Sequence, residues 1–207
     1  MQNNKHFDLW SKNYDIDVNI SDENSEYPFT GYKKVLGDVY NRVMQKCPAK
    51  VLDIGIGTGT LSRKLYEQGN NITGIDFSEE MISASRKNMP SAEFIQWDIT
   101  KGLPEELGKF DFIISTYAIH HLTDDEKIVF IGLLFEHLND GGSIIIGDVG
   151  FENRELLEEC RAACGGGWDS EEFYSVVSEL RERLQGICEL EFCKFSHCSG
   201  VLVLWKE

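Results

Sequence analysis

Positive charge is scarce in this chain. Its 207 residues hold 20 Lys and Arg against 35 Asp and Glu, a formal net charge of −15. A groove for nucleic acid would have to overcome that field, and no local Lys/Arg cluster does so, so no nucleic-acid partner is expected. Long apolar runs are missing as well. The longest, IVFIGLLF (128–135), is too short to cross a bilayer, and no membrane partner is expected. The opening MQNNKHFDLW lacks the apolar centre of a signal peptide and the Arg-rich, acid-poor character of a transit peptide, which makes a cytoplasmic location the default expectation. No C-x-x-C pair occurs among Cys47, Cys160, Cys164, Cys188, Cys193 and Cys198, and a disulfide framework is not expected in a chain of this length. Cys160 and Cys164 at i, i+4 and the pair His197-Cys198 contain zinc-ligand types. The reading adopted is small buried hydrophobes with free thiols, and no metal is expected. There are no internal repeats and no low-complexity segments.

What is present suits one α/β domain. Hydrophobic residues make up 42%, enough for a core, and charged residues 27%, enough for a soluble surface. After a polar stretch with Trp10 and Tyr14 as isolated aromatics, Thr30 is placed to cap a helix with Val35, Leu36, Val39, Val43 and Met44 at helical spacing. Strand and helix then alternate. Strands are expected at 51–54, 71–76, 92–98, 110–116 and 143–149, with helices from Thr60 to Gln68, after a Ser78 cap, and after a Thr123/Glu126 capping box to about Leu138. Two further helices are expected, over 153–164 and after an Asp169/Glu172 capping box that buries Phe173, Val176, Val177, Leu180 and Leu184. Two closing strands turning at about Cys198–Gly200 complete the chain.

This order predicts a doubly wound, mostly parallel seven-stranded sheet with an antiparallel C-terminal hairpin and a ligand crevice at the carboxyl ends of its strands. The whole chain, 1–207, is read as a single domain. It divides into a helical N-terminal cover (1–48), a core (49–150), a helical lid (151–185) and a hairpin (186–207).

The stretch DIGIGTGTL (53–61) demands a bare backbone where the first strand meets its helix. Gly55, Gly57 and Gly59 remove side chains there and let a ligand approach the main chain. The pattern overlaps the dinucleotide fingerprint but has Thr60 where that fingerprint has its third glycine. Asp76, 21 residues past Gly55 at the end of the second strand, is placed to accept from both hydroxyls of a ribose. To that point a nicotinamide dinucleotide and S-adenosylmethionine suit equally. Asp53 beside the turn, matching an ammonium better than a pyrophosphate, and Asp98 after Trp97, matching an adenine amino group, favour the second, as does the C-terminal hairpin.

DIGIGTGTL, GIDFS (74–78), QWDI (96–99) and STYAIHHL (115–122) resemble the successive motifs of class I S-adenosylmethionine-dependent methyltransferases. FDLWSKNYD (7–15), YPFTGY (27–32) and YAIHHLTDDEK (117–127) more closely resemble the small bacterial group called YrrT-like. The resemblance implies S-adenosylmethionine as cofactor, with Asp53 and Gly55 facing its methionine part, Asp76 on the ribose and Phe77 against the adenine. It places Asp98 and the Ile99 main chain at the adenine edge, Ser115 near the sulfonium, and Trp10, Tyr14 and Tyr32 in a cover. Phe77 reads also as a core residue, and Tyr14 and Tyr32 read more readily as packing aromatics than as ligand contacts.

Methyl transfer from a sulfonium needs positioning more than acid–base chemistry. His120, just past the fourth strand, is the first candidate base and Asp148, ending the fifth, the second. Tyr117 and Tyr174 are placed to shape an acceptor pocket, and His121 is expected to pack or to cap the next helix. A structural role for His120 stands beside the catalytic one. A small-molecule acceptor is expected. The alternatives are a non-catalytic S-adenosylmethionine-binding protein and a nicotinamide-dependent oxidoreductase. The sequence leaves the acceptor and the oligomeric state open.

Overall fold

A computed structural model describes residues 27–206. Helix α1 spans Tyr32–Val43, followed by strand β1 (Lys50–Ile54), α2 (Thr60–Glu67), β2 (Asn71–Asp76), α3 (Glu79–Asn88), β3 (Glu93–Gln96) and β4 (Phe110–Thr116). Then come α4 (Asp124–Glu136), β5 (Leu138–Phe151), α5 (Arg154–Cys164), β6 (Ser175–Val176), α6 (Val177–Arg183), β7 (Glu189–Lys194) and β8 (Ser199–Trp205). The main sheet runs β3-β2-β1-β4-β5-β8-β7, with β1 to β5 parallel and β7 and β8 antiparallel. The chain moves outward from β1 to β3 and then crosses to β4 on the other side of β1. That reversal opens a crevice at the carboxyl ends of β1 and β4.

Alternation along the strands builds two cores. Val51, Ile114, Ile145, Val201 and Val203 pack with α1, α2, α3 and α5. Leu52, Ile54, Ile113, Ile144, Ile146, Leu202 and Leu204 pack on the other face with α4 and α6. Strands buried on both faces read as continuous apolar runs, which is why FDFIIST and SIIIGDV stand out in the sequence.

Four local expectations are corrected by tertiary contacts. Gly31, in a left-handed conformation, takes the α1 cap position in place of Thr30, whose carbonyl accepts from the Ser199 hydroxyl at 2.6 Å. Of the expected N-terminal cover, 1–26 lie outside the described residues; helix α1 packs on the sheet face through buried Val35, Val39 and Val43, and a Cβ at Gly147 would come within 2.5 Å of Val35. Leu138 begins β5 instead of ending α4, because it pairs with Phe110 across a register shift. The segment 151–185 is only partly helical. Asp169 forms a local turn, its Oδ1 accepting from the Glu171 amide at 2.8 Å, and Glu172 is held elsewhere. No helix therefore starts at 169, Phe173 is exposed, and Ser175–Val176 adds an eighth short strand beside Gly150–Phe151. The closing hairpin turns at Phe195–Cys198, where the Phe195 amide bonds the Ser199 carbonyl. No helix among the described residues is long and apolar enough to cross a membrane.

Candidate active site

At the end of β1 the backbone reverses sharply. The amides of Gly55 and Ile56 both donate to the Ile75 carbonyl, and Gly55, Gly57 and Gly59 take φ of 73°, 55° and 78°. L-residues rarely adopt these angles, so the turn itself demands glycine. The three are not equivalent. A Cβ on Gly55 would sit 2.3 Å from the Ala118 side chain, and one on Gly59 would sit 2.8 Å from Ser85 and Met89. A Cβ on Gly57 would meet nothing within 4 Å. Gly55 and Gly59 therefore serve close packing within the protein, and Gly57 is the one beside open space.

Two carboxylates flank this turn. Asp53 is buried, its Oδ2 accepting from the Ser62 hydroxyl at 2.5 Å, while its buried Oδ1 has no hydrogen-bond partner in the chain. Burial pushes its pKa up to about 7, the Ser62 bond opposes that rise, and the nearby charge of Asp76 adds to it. Asp76, ending β2, accepts at Oδ2 from the Gly57 amide and at Oδ1 from the Ser78 amide, both at 2.9 Å. Burial raises its pKa against the pull of those backbone bonds.

The other expected residues are distributed as follows. Phe77 is half-buried and its carbonyl accepts from Gln96 Nε2 at 3.0 Å. Asp98 is partly exposed. Burial is the largest single influence and raises it, but the Thr100 hydroxyl and amide and the Lys101 ammonium together outweigh that and hold it below the usual carboxylate range. Ile99 opens a single 3-10 turn that Asp98 caps. Ser115 is buried and its hydroxyl donates to the Ile54 carbonyl at 3.0 Å, tying β4 to β1. Tyr32 stacks obliquely on Tyr117, 5.2 Å between ring centroids. Trp10 and Tyr14 lie outside the described residues. A groove of about 630 Å³ runs between α1 and α2, lined by Tyr32, Leu36, Tyr40, Leu61 and Lys64. None of the three acids lines it, so it is distinct from the crevice at the strand ends.

Beyond β4 the chain gathers a buried polar network. Nδ1 of His120 lies 2.7 Å from Asp148 Oδ1, and its Nε2 lies 3.5 Å from Glu172 Oε1. Burial opposes charge on this imidazole. The negative charge and hydrogen bond of Asp148, with Glu172 behind them, outweigh burial and raise the pKa above the ordinary histidine value. His121, in edge contact with His120, is pushed the other way, to about 4, by burial and by its neighbour. The Tyr174 hydroxyl donates to Glu172 Oε2 at 2.5 Å and pairs with the Tyr27 hydroxyl. Trp168 stacks on Tyr27, 5.2 Å apart and 9° from parallel, and meets Tyr174 edge-on. Lys127 is buried and clamps the segment, donating to the Phe173 carbonyl, while the Phe173 amide donates to the His120 carbonyl at 2.8 Å.

The structure thus brings Asp53, Gly57 and Asp76 together at the turn, and His120 with Asp148 beyond β4. It adds Tyr27, Lys127 and Trp168, and it places Glu172 here and not in the capping box expected of it. The aromatic density of YPFTGY and of the GGGW break was the available signal for Tyr27 and Trp168; nothing local marked Lys127, and the spacing of Glu172 from Asp169 pointed to a helix cap.

Residues 51–142 match the family described as a methyltransferase domain. A relative from Anoxybacillus flavithermus, described as an uncharacterized methyltransferase, is 38% identical over 157 residues, covering 73% of this chain and 69% of its own. Among solved structures, the magnesium protoporphyrin IX methyltransferase of Synechocystis PCC 6803 with bound SAH superposes at a TM-score of 0.68. It is 18% identical, over 86% of this chain and 85% of that one. A TehB-like SAM-dependent methyltransferase from Corynebacterium glutamicum superposes at 0.61 with 21% identity, over 95% and 98%. With the strand order, the glycine turn and its two acids in place, the chain belongs to the methyltransferase family and carries the class I fold of that family.

Proposed function

We propose that this protein transfers a methyl group from S-adenosylmethionine to a small-molecule acceptor, and that it works in the cytoplasm. The observation that carries the reading is Asp53 Oδ1, a buried acceptor with no partner in the chain, beside the open backbone of Gly57 and the carboxylate of Asp76. An unpaired buried acceptor is costly unless a ligand donor meets it, and the ammonium of S-adenosylmethionine is such a donor. The residues therefore suit the cofactor. Asp53 and Gly57 would hold its amino-acid end, Asp76 the ribose hydroxyls, and Phe77, Asp98 and Ile99 the adenine. Structural neighbours solved with SAM or SAH bound support the same reading.

The bound sulfonium supplies an activated methyl group, so the chain's own work is to orient the acceptor, exclude water and handle its proton. His120 does the last. With the Nδ1 proton donated to Asp148, Nε2 is left as the base, and the imidazolium formed on proton uptake is stabilised by Asp148 and Glu172. Tyr27, Trp168 and Tyr174 wall the acceptor side. The formal net charge of −15 favours a small acceptor over a nucleic acid.

Calorimetric titration with S-adenosylmethionine and with NAD, followed by incubation with methyl-labelled cofactor and a low-mass metabolite extract, tests the proposal. Binding of the first alone, with label in a small molecule, is expected. Binding without transfer would favour a cofactor-sensing protein, and binding of NAD instead would overturn the reading.

A further inference from the structure

Two cysteines and a histidine from two separate segments converge outside the site described above, with a third cysteine beside one of them. Cys160 and Cys164 lie one turn apart on α5, their Sγ atoms 3.9 Å from each other. His197 and Cys198 come from the turn between β7 and β8. The sulfurs of Cys160 and Cys198 and a ring nitrogen of His197 all lie within 4.8 Å of one another. Cys160 and Cys198 are buried, Cys164 half-buried and His197 exposed. Backbone bonds hold this turn in place. The Gly150 amide donates to the Cys198 carbonyl at 3.0 Å, and the Cys198 amide donates to the Ser196 hydroxyl at 3.2 Å.

The spacing has a chemical meaning. Tetrahedral zinc with Zn–S bonds of about 2.3 Å sets its sulfur ligands about 3.8 Å apart. The Cys160–Cys164 separation is that of two ligands on one ion, and nearly twice the length of a disulfide bond. Buried thiols bind a soft divalent cation by giving up their protons to solvent.

We propose that Cys160, Cys198 and His197 hold a thiophilic divalent cation, zinc by its ligand set, that pins the end of α5 to the β7–β8 turn, with Cys164, 3.9 Å from Cys160 and outside that trio, turning in as the fourth ligand when the ion binds. On binding, three S–H protons pass to solvent, three Zn–S bonds and one Zn–N bond form, and no group changes oxidation state. The site departs from the metal-free expectation of the sequence and stands independently of the proposed reaction. It also has a structural consequence. The Gly165–Gly167 break follows α5 directly and leads into Trp168, so an ion here anchors the segment that carries the aromatic wall.

The test is titration of the reduced, full-length protein with Co2+, then displacement by Zn2+, with bound metal counted by plasma mass spectrometry after dialysis. One ion per chain, a thiolate-to-cobalt charge-transfer band and a raised Tm are expected. Affinity should fall about tenfold or more in Cys164→Ser and His197→Ala, which alter the less buried positions and spare the core. Cys188→Ser should leave it unchanged. Two results would overturn the site: no charge-transfer band, or a band that survives both Cys164→Ser and Cys198→Ser. A Cys160–Cys198 disulfide formed in preference to metal binding would overturn it as well.

Discussion

Asp148 Oδ1 stands 2.7 Å from His120 Nδ1, and both side chains are buried. The same oxygen also accepts from the Val149 amide, while Oδ2 is buried with no hydrogen-bond partner. Asp148 is the first of two acids, with Glu172, that favour the charged form of the His120 ring against the cost of burial.

Asp148→Asn should therefore lower the His120 pKa, because burial is then opposed by Glu172 alone. Histidine NMR titration reads the change directly. The sign of the stability effect follows from the raised folded value. The His120 contribution is fully present below the ordinary histidine pKa and is lost as pH rises through the folded pKa. The wild-type protein should lose that increment on going alkaline, and Asp148→Asn should lack it. A His120 titration unmoved by the substitution would break the assignment.

His120→Ala should leave cofactor affinity near wild type and lower turnover by about 10²- to 10⁴-fold once an acceptor is in hand. His121, held near pKa 4, is neutral through the physiological range, so His121→Ala should act on Tm and not on the pH–rate profile. Equal rate losses in both variants, tracking Tm, would make the turn structural.

Asp53 gives cofactor binding a pH dependence. Its folded pKa of about 7 means that the ligand-free fold prefers the protonated acid. Stability falls as pH rises from the ordinary carboxyl value to about 7 and is level above it. A cationic ligand group needs the carboxylate, so affinity for S-adenosylmethionine should drop about tenfold between about pH 8 and about pH 6. Calorimetry across that range checks it, and Asp53→Asn should bind weakly with a flat profile.

The glycines of the turn should separate by what lies beside them. Gly55→Ala, at φ 73° and 2.3 Å from Ala118, should lower Tm sharply without any ligand. Gly57→Ala carries only the left-handed strain, about 1–2 kcal/mol, and should stay folded while cofactor affinity falls. Circular dichroism melts beside calorimetry distinguish the two; normal binding by a folded Gly57→Ala would remove the ligand from that face.

Asp76→Ala should weaken S-adenosylmethionine binding by about ten- to a hundredfold, or roughly 1.5–3 kcal/mol. It also frees the Gly57 and Ser78 amides, so a modest Tm loss should accompany the effect. Unchanged affinity in the folded variant would refute the ribose role.

Much of the architecture is written locally. The central parallel strands β1, β4 and β5 are largely apolar on both faces, and β2 and β4 fall on the residues their sequence marks. The Thr123/Glu126 capping box forms as its spacing requires, and Ser78 caps α3. The same three-residue spacing to a glutamate at Asp169/Glu172 forms no cap, because Tyr174 and His120 engage the Glu172 carboxylate. Asp53, Gly57 and Asp76 were legible together because two strands of fixed register and one glycine turn set their separation.

The sequence by itself thus determined the strand order's raw material, the glycine turn and the acids beside it, since these depend on local periodicity and backbone conformation. Only the tertiary structure decided that Gly55 and Gly59 serve packing, that Tyr27, Trp168, Glu172 and Tyr174 form one wall with His120, and that Cys160 meets His197 and Cys198. Those partners lie on distant segments. What joins them is burial, which makes an unpaired polar group or a loose aromatic ring costly and so selects contacts that no local pattern encodes.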